Sequence, residues 1–84
     1  MPATYEQIRE ALEKFEYDES AKWVIMWQFR LLGGFETALA EAIVKADEDN
    51  LYKLRLGFPT QVDGYRRWAF GKLGDEFRKA GLPI

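Results

Sequence analysis

Two runs of this sequence hold side chains suited to chemistry: the acidic Asp47-Glu48-Asp49 and the basic–aromatic Tyr65-Arg66-Arg67-Trp68-Ala69-Phe70-Gly71-Lys72. Clustered carboxylates can hold a hard cation or divide acid and base work between them. Neighbouring residues on a helix point apart, however. Counted from Asp47, Tyr52 stands where a calcium loop needs glycine and Phe58 where it needs glutamate. An acidic first turn of a helix accounts for all three acids. In the second run, arginine and lysine could neutralise phosphate while aromatic faces stack on exposed bases. Tyr65, Arg66, Arg67, Trp68 and Lys72 are therefore the candidate nucleic-acid contacts. Against this stands an acidic isoelectric point near 5.1, the wrong side of neutral for a nucleic-acid footprint. As structure, the same run places Tyr65 and Phe70 in the core and Arg66 within the apolar sector, its head paired with an acid. Arg67 points away, and Trp68 lies at the stripe's edge.

Missing residue types narrow the chemistry further. With no histidine and no cysteine, imidazole acid–base catalysis, thiolate nucleophiles, disulfides and the metal sites built on those ligands are excluded. Ser20 is the only serine; without a histidine base, its expected role is in a helix cap. The chain is expected not to be an enzyme and to carry no cofactor. What it has in excess is aromatic side chains: three Trp, four Tyr and six Phe in 84 residues. Each buries about 150–250 Å² when packed, more than one small core readily absorbs. Tyr17, Tyr52, Arg67 and Trp68 fall at the edge of or outside the helical stripes. They are the candidates for contact with an unidentified protein partner, since Trp, Tyr and Arg are enriched at interface hot spots. The competing reading is that these rings line the boundary of a small core. A third is that the apolar surplus is buried between identical chains in a homo-oligomer.

Charge is unevenly spread. Residues 1–50 carry eleven acids and five bases, a net −6, and residues 51–84 carry three acids and seven bases, a net +4. Such polarity can steer a partner. No apolar run nears the roughly 20 residues of a membrane span. Met1 to Glu6 lacks the basic start and apolar centre of a signal peptide, so no membrane association and a cytoplasmic location are expected.

The elements that must position these side chains read mainly as helices. Thr4 and Gln7 fit a capping box, and Ile8, Ala11, Leu12 and Phe15 follow at helical spacing, predicting a helix over about 5–16. Lys22 to Leu32 is apolar nearly all round, the mark of a buried central helix, with Gly33-Gly34 as its stop. Phe35, Leu39, Ala42, Ile43 and Ala46 predict a helix over 35–46. Asp47 caps a short one over 48–56, and Pro59 opens another whose stripe is Val62, Tyr65, Ala69 and Leu73. Asp75 to Ala80 reads as a last turn or short helix. The expectation is a single domain over residues 1–84, an all-α bundle of four to five short helices around the aromatic helix 23–32. An α+β alternative pairs 23–32 with 51–58 as strands, because aromatics and aliphatics also alternate at period two in both runs.

Residues 42–59 carry an Asn50-Leu51-x-Lys53-Leu54 run followed by Gly57-Phe58-Pro59, then Val62-x-x-Tyr65 and Trp68. Over about residues 35–70 this pattern resembles short uncharacterised accessory proteins of tailed phages and prophages. The shared positions are structural in type: a cap, a stripe, a helix stop and a helix start. The resemblance implies an origin and a class of role, an accessory or host-interaction protein, including inhibitors of host factors. It transfers no catalytic residue.

Overall fold

Capping chemistry sets the element boundaries. In the computed structural model, which describes residues 3–84, six helices follow one another: α1 Tyr5–Lys14, α2 Glu19–Gln28, α3 Gly34–Lys45, α4 Glu48–Gly57, α5 Pro59–Phe70 and α6 Leu73–Lys79. The fold is all-α. At the start of α1, Thr4 Oγ1 accepts the Gln7 amide proton at 3.1 Å and Gln7 Oε1 accepts that of Thr4 at 2.8 Å. This is the reciprocal capping box. Asp18 and Asp47 cap α2 and α4 by accepting from the amides of Ala21 and Asn50. Pro59 occupies the first turn of α5. It disfavours helical geometry in the residue before it, so Phe58, at φ −134° and ψ 60°, alone separates α4 from α5.

The α+β alternative fails at both runs: residues 23–28 lie in α2 and 51–57 in α4, and no strand occurs among the described residues. Alternation arose there because a helix apolar on most sides also satisfies period two. The carboxylate caps ahead of each run commit both to helix. There are six helices rather than four to five because the last turn is a full helix beginning at Leu73. Helix α1 stops at Lys14, short of residue 16. Helix α2 sits earlier than 22–32, and Gly33-Gly34 does not end it. Arg30 does, at φ 58°. The Leu31 amide donates to the Met26 carbonyl at 2.8 Å and the Arg30 amide to that of Trp27 at 3.2 Å, the two bonds of a Schellman motif. Gly33, with extended backbone, serves instead as the N-cap of α3.

One hydrophobic cluster joins all six helices. Its fully buried side chains include Val24 and Ile25 of α2, Ile43 of α3, Val62 of α5 and Phe77 of α6. The expected centre was the aromatic helix alone; α2 shares that place with α5, which also packs on α3, α4 and α6. The close approach is possible because residue 64 is glycine. A Cβ there would lie 2.8 Å from the Ser20 carbonyl oxygen and 3.0 Å from Val24 Cγ2. The ends of the chain meet where Phe15 packs edge-on against Phe77, ring centroids 5.3 Å apart, with Trp68 against the same ring at 5.8 Å. Lys14 Nζ also donates to the Ala80 carbonyl at 2.9 Å. Phe35, Ala42, Ala69 and Phe70, all expected in the core, are exposed instead, Phe70 to 74 %. Phe70 lies in the last turn of α5, beyond its contact with α2. Its edge meets only Tyr65 among the aromatic rings.

Candidate functional site

Helices α1 and α2, joined by the turn at residues 15–18, and the start of α5 leave open space between them. The result is a cleft of about 830 Å³. Leu12 on α1 and Trp23 and Met26 on α2 form its floor, and Thr60 and Gln61 of α5 form its end. Trp23 is held in place: its Nε1 donates to Glu36 Oε2 of α3 at 3.0 Å. Charged residues line the rims, with Arg9, Glu13 and Glu16 on α1 and Glu19 and Lys22 on α2.

Those charges are organised around two cations. Arg9 donates to Glu6 at 2.7 Å and to Glu13 at 3.1 Å. The hydrogen bond to Glu6 and the field of Glu13, with a lesser part from Glu10, raise the Arg9 pKa. On the opposite rim Lys22 pairs with Glu19 at 3.0 Å. Glu16 makes no ion pair among the described residues. No group of three or more carboxylates there is placed to hold a metal ion. Two smaller clefts exist elsewhere. One of about 400 Å³ lies between α3 and α4, with Lys45 and Lys53 beside Ala42, Ala46 and Leu54. The other, about 580 Å³, is lined by Trp27, Arg30, Leu32 and Glu41.

The residues singled out by spacing do not converge. Tyr17 is 94 % exposed in the α1–α2 turn and Tyr52 is 65 % exposed on α4. Trp68 is half-buried against Phe77. Arg67 does not point away. Its Nη1 donates to Asp18 Oδ1 and to Ser20 Oγ, each at 2.7 Å, and its Nη2 reaches Glu76 at 3.5 Å. It thereby ties α5 to the start of α2 and to α6. The Arg67 hydrogen bond holds the Asp18 carboxyl below its ordinary range against the opposing effect of burial. The same bond raises Arg67. Ser20 sits inside this clasp, within α2; the cap role expected for it belongs to Asp18 instead.

In the basic–aromatic run, Arg66 pairs with Glu48 of α4 at 3.1 Å, the acid partner its position called for. Tyr65 is half-buried, 6.4 Å from Trp27 and 6.0 Å from Phe70 between ring centroids. Both arginines are thus engaged within the molecule, and of this run's cations only Lys72 makes no ion pair among the described residues. The α1–α2 cleft was missed because it is assembled from three elements. Its one sequence signal was Glu13, Glu16 and Glu19 at intervals of three, across a turn and ahead of Trp23 and Met26. No family model, no curated protein and no solved structure matches this chain.

Proposed function

We propose that this chain is a non-enzymatic interaction module that works by occupying the surface of a partner protein. The observation that supports it best is the number of large apolar side chains left in solvent: Tyr5, Tyr17, Leu31, Phe35, Val44, Tyr52, Leu56 and Phe70. Single exposed apolar residues are ordinary, but eight in so short a chain, beside an open cleft floored by Leu12, Trp23 and Met26, supply contact area for association. The resemblance of residues 35–70 to phage accessory proteins supports an accessory or host-interaction role inside a bacterial cell.

The test is a tagged pull-down from a bacterial lysate with and without nuclease. A protein retained in stoichiometric amount after nuclease supports the reading. Recovery that vanishes with nuclease transfers the function to Tyr65, Arg66, Arg67, Trp68 and Lys72 and a nucleic acid. Recovery of the chain alone, as a homo-oligomer by light scattering, makes it a self-assembling protein. Tyr17→Ala and Tyr52→Ala are the informative first variants. Both rings are exposed, so stability should change by no more than about 0.5 kcal/mol and any loss of capture reports on contact.

A further inference from the structure

We infer that the α1–α2 cleft receives a basic amphipathic helix of a partner protein. The inference rests on the interaction-module reading and gives that module its docking surface and its partner's chemistry. The floor is apolar and made of adaptable or anchoring side chains: Leu12, Met26 and the indole of Trp23, which the hydrogen bond to Glu36 keeps in place. A cleft of about 830 Å³ takes several side chains from one ridge of a helix, the arrangement in which an amphipathic helix lays its apolar face into a groove.

The rims decide the sign of the occupant. On α1 the cleft is lined by Arg9, Glu13 and Glu16, and Arg9 is also paired with Glu6 just outside the lining, so one cation and three carboxylates leave a net −2. On the α2 rim Glu19 and Lys22 cancel. The pairs that Arg9 and Lys22 make lie at the surface, with Lys22 itself only partly exposed, and join residues three or four apart. Pairs of that kind are weak and reorganise readily, so the acids are accessible to lysines or arginines of an incoming helix. An acidic helix or a nucleic acid meets like charge here. A lone cation has no matching carboxylate cluster among the described residues.

The experiment uses the full chain, labelled for amide shift mapping. The probe is a synthetic amphipathic helical peptide with leucines at i, i+3, i+4 and i+7 and lysines on its polar face. Its counterpart with glutamates in place of the lysines is the control. The lysine peptide should shift the amides of Leu12, Glu16 and Met26 and the indole of Trp23, and bind at least about tenfold more tightly than the glutamate peptide at low salt. Glu16→Lys should weaken lysine-peptide binding by about tenfold with an unchanged melting temperature, since Glu16 makes no ion pair to lose. Met26→Lys, at a half-buried floor position, should abolish it. Should either variant fail to fold, Glu13→Gln combined with Glu16→Gln gives the same reading with isosteric side chains. Equal affinity for both peptides, shifts that map away from the cleft, no binding of the lysine peptide, or a dimer by sedimentation that Glu16→Lys disperses would each overturn the inference. A nuclease-resistant pull-down alongside any of those results leaves the module reading standing and removes only the cleft. A failed pull-down removes the module reading itself.

Discussion

Three single residues hold backbone or packing positions that their chemistry makes costly to change or cheap to improve. Arg30 takes the left-handed conformation that ends α2, where a Cβ costs roughly 1–2 kcal/mol and glycine is the usual occupant. Its side chain is exposed and makes no ion pair among the described residues. Arg30→Gly should therefore stabilise the fold by about 1 kcal/mol less the cost of glycine's greater unfolded-state entropy, seen as a higher midpoint of urea denaturation. A lower midpoint would show that the arginine stem contributes more than the strain. Gly81, at φ 97°, plays the same part after α6 without strain, and Gly81→Ala should cost about 1 kcal/mol. At Gly64 the constraint is space rather than φ. Overpacking against Ser20 and Val24 costs about 1–3 kcal/mol, of which alanine's better helix propensity returns at most about 1. Gly64→Ala should lower the melting temperature. Gly57→Ala, where nothing lies within 4 Å, should not.

Between elements the decisive feature is the clasp that Arg67 makes with Asp18, Ser20 and Glu76. Asp18 both caps α2 and accepts from Arg67, so two helix ends depend on one carboxylate. Because the Arg67 hydrogen bond depresses its pKa in the folded state, the stability it contributes is complete above the ordinary carboxylate range near 4. It is lost as pH falls through the lower folded-state value. Wild type should lose stability from this source as pH falls below about 4, while Asp18→Asn should start about 1 kcal/mol lower at neutral pH and show a flatter acid limb. An unaltered acid limb in Asp18→Asn would place the acid sensitivity in other carboxylates. This clasp also shows which parts of the fold were legible in the chain. Caps such as Thr4-x-x-Gln7, Asp47 and Pro59 act within one turn and could be read directly. Arg67 could not, because its partner Asp18 lies 49 positions away and a helical wheel shows only that it leaves the apolar stripe. The stop of α2 was misplaced for a local reason: Gly33-Gly34 is the better left-handed candidate by residue type, yet the Schellman geometry falls at Arg30. The cleft was illegible because its floor and rims come from α1, α2 and the start of α5.

For the whole molecule, the question is whether six short helices behave as one cooperative unit. Helices this short are marginal alone, so their stability must come from the shared core. Phe77 is the side chain that tests this. It is fully buried, belongs to the last helix, and touches Phe15 of the segment after α1 and Trp68 of α5. Leu82, after the Gly81 turn, belongs to the same buried cluster, and its amide donates to the Phe77 backbone carbonyl at 3.0 Å. Phe77→Ala should cost about 3–5 kcal/mol, a large share of the roughly 5–10 kcal/mol expected for a domain of this size. Because Phe77 bridges first and last elements, that loss should fall on the molecule as a unit. Tryptophan fluorescence, which reports on α2 and α5, and far-ultraviolet circular dichroism, which reports on all helices, should then shift together to one lower urea midpoint. Two separated transitions, with circular dichroism falling first, would mean that α1 and α6 form a clamp that opens on its own. In that case the cleft beside α1 would belong to the mobile part of the fold, and occupancy by a partner helix should stabilise that clamp in preference to the α2–α5 core.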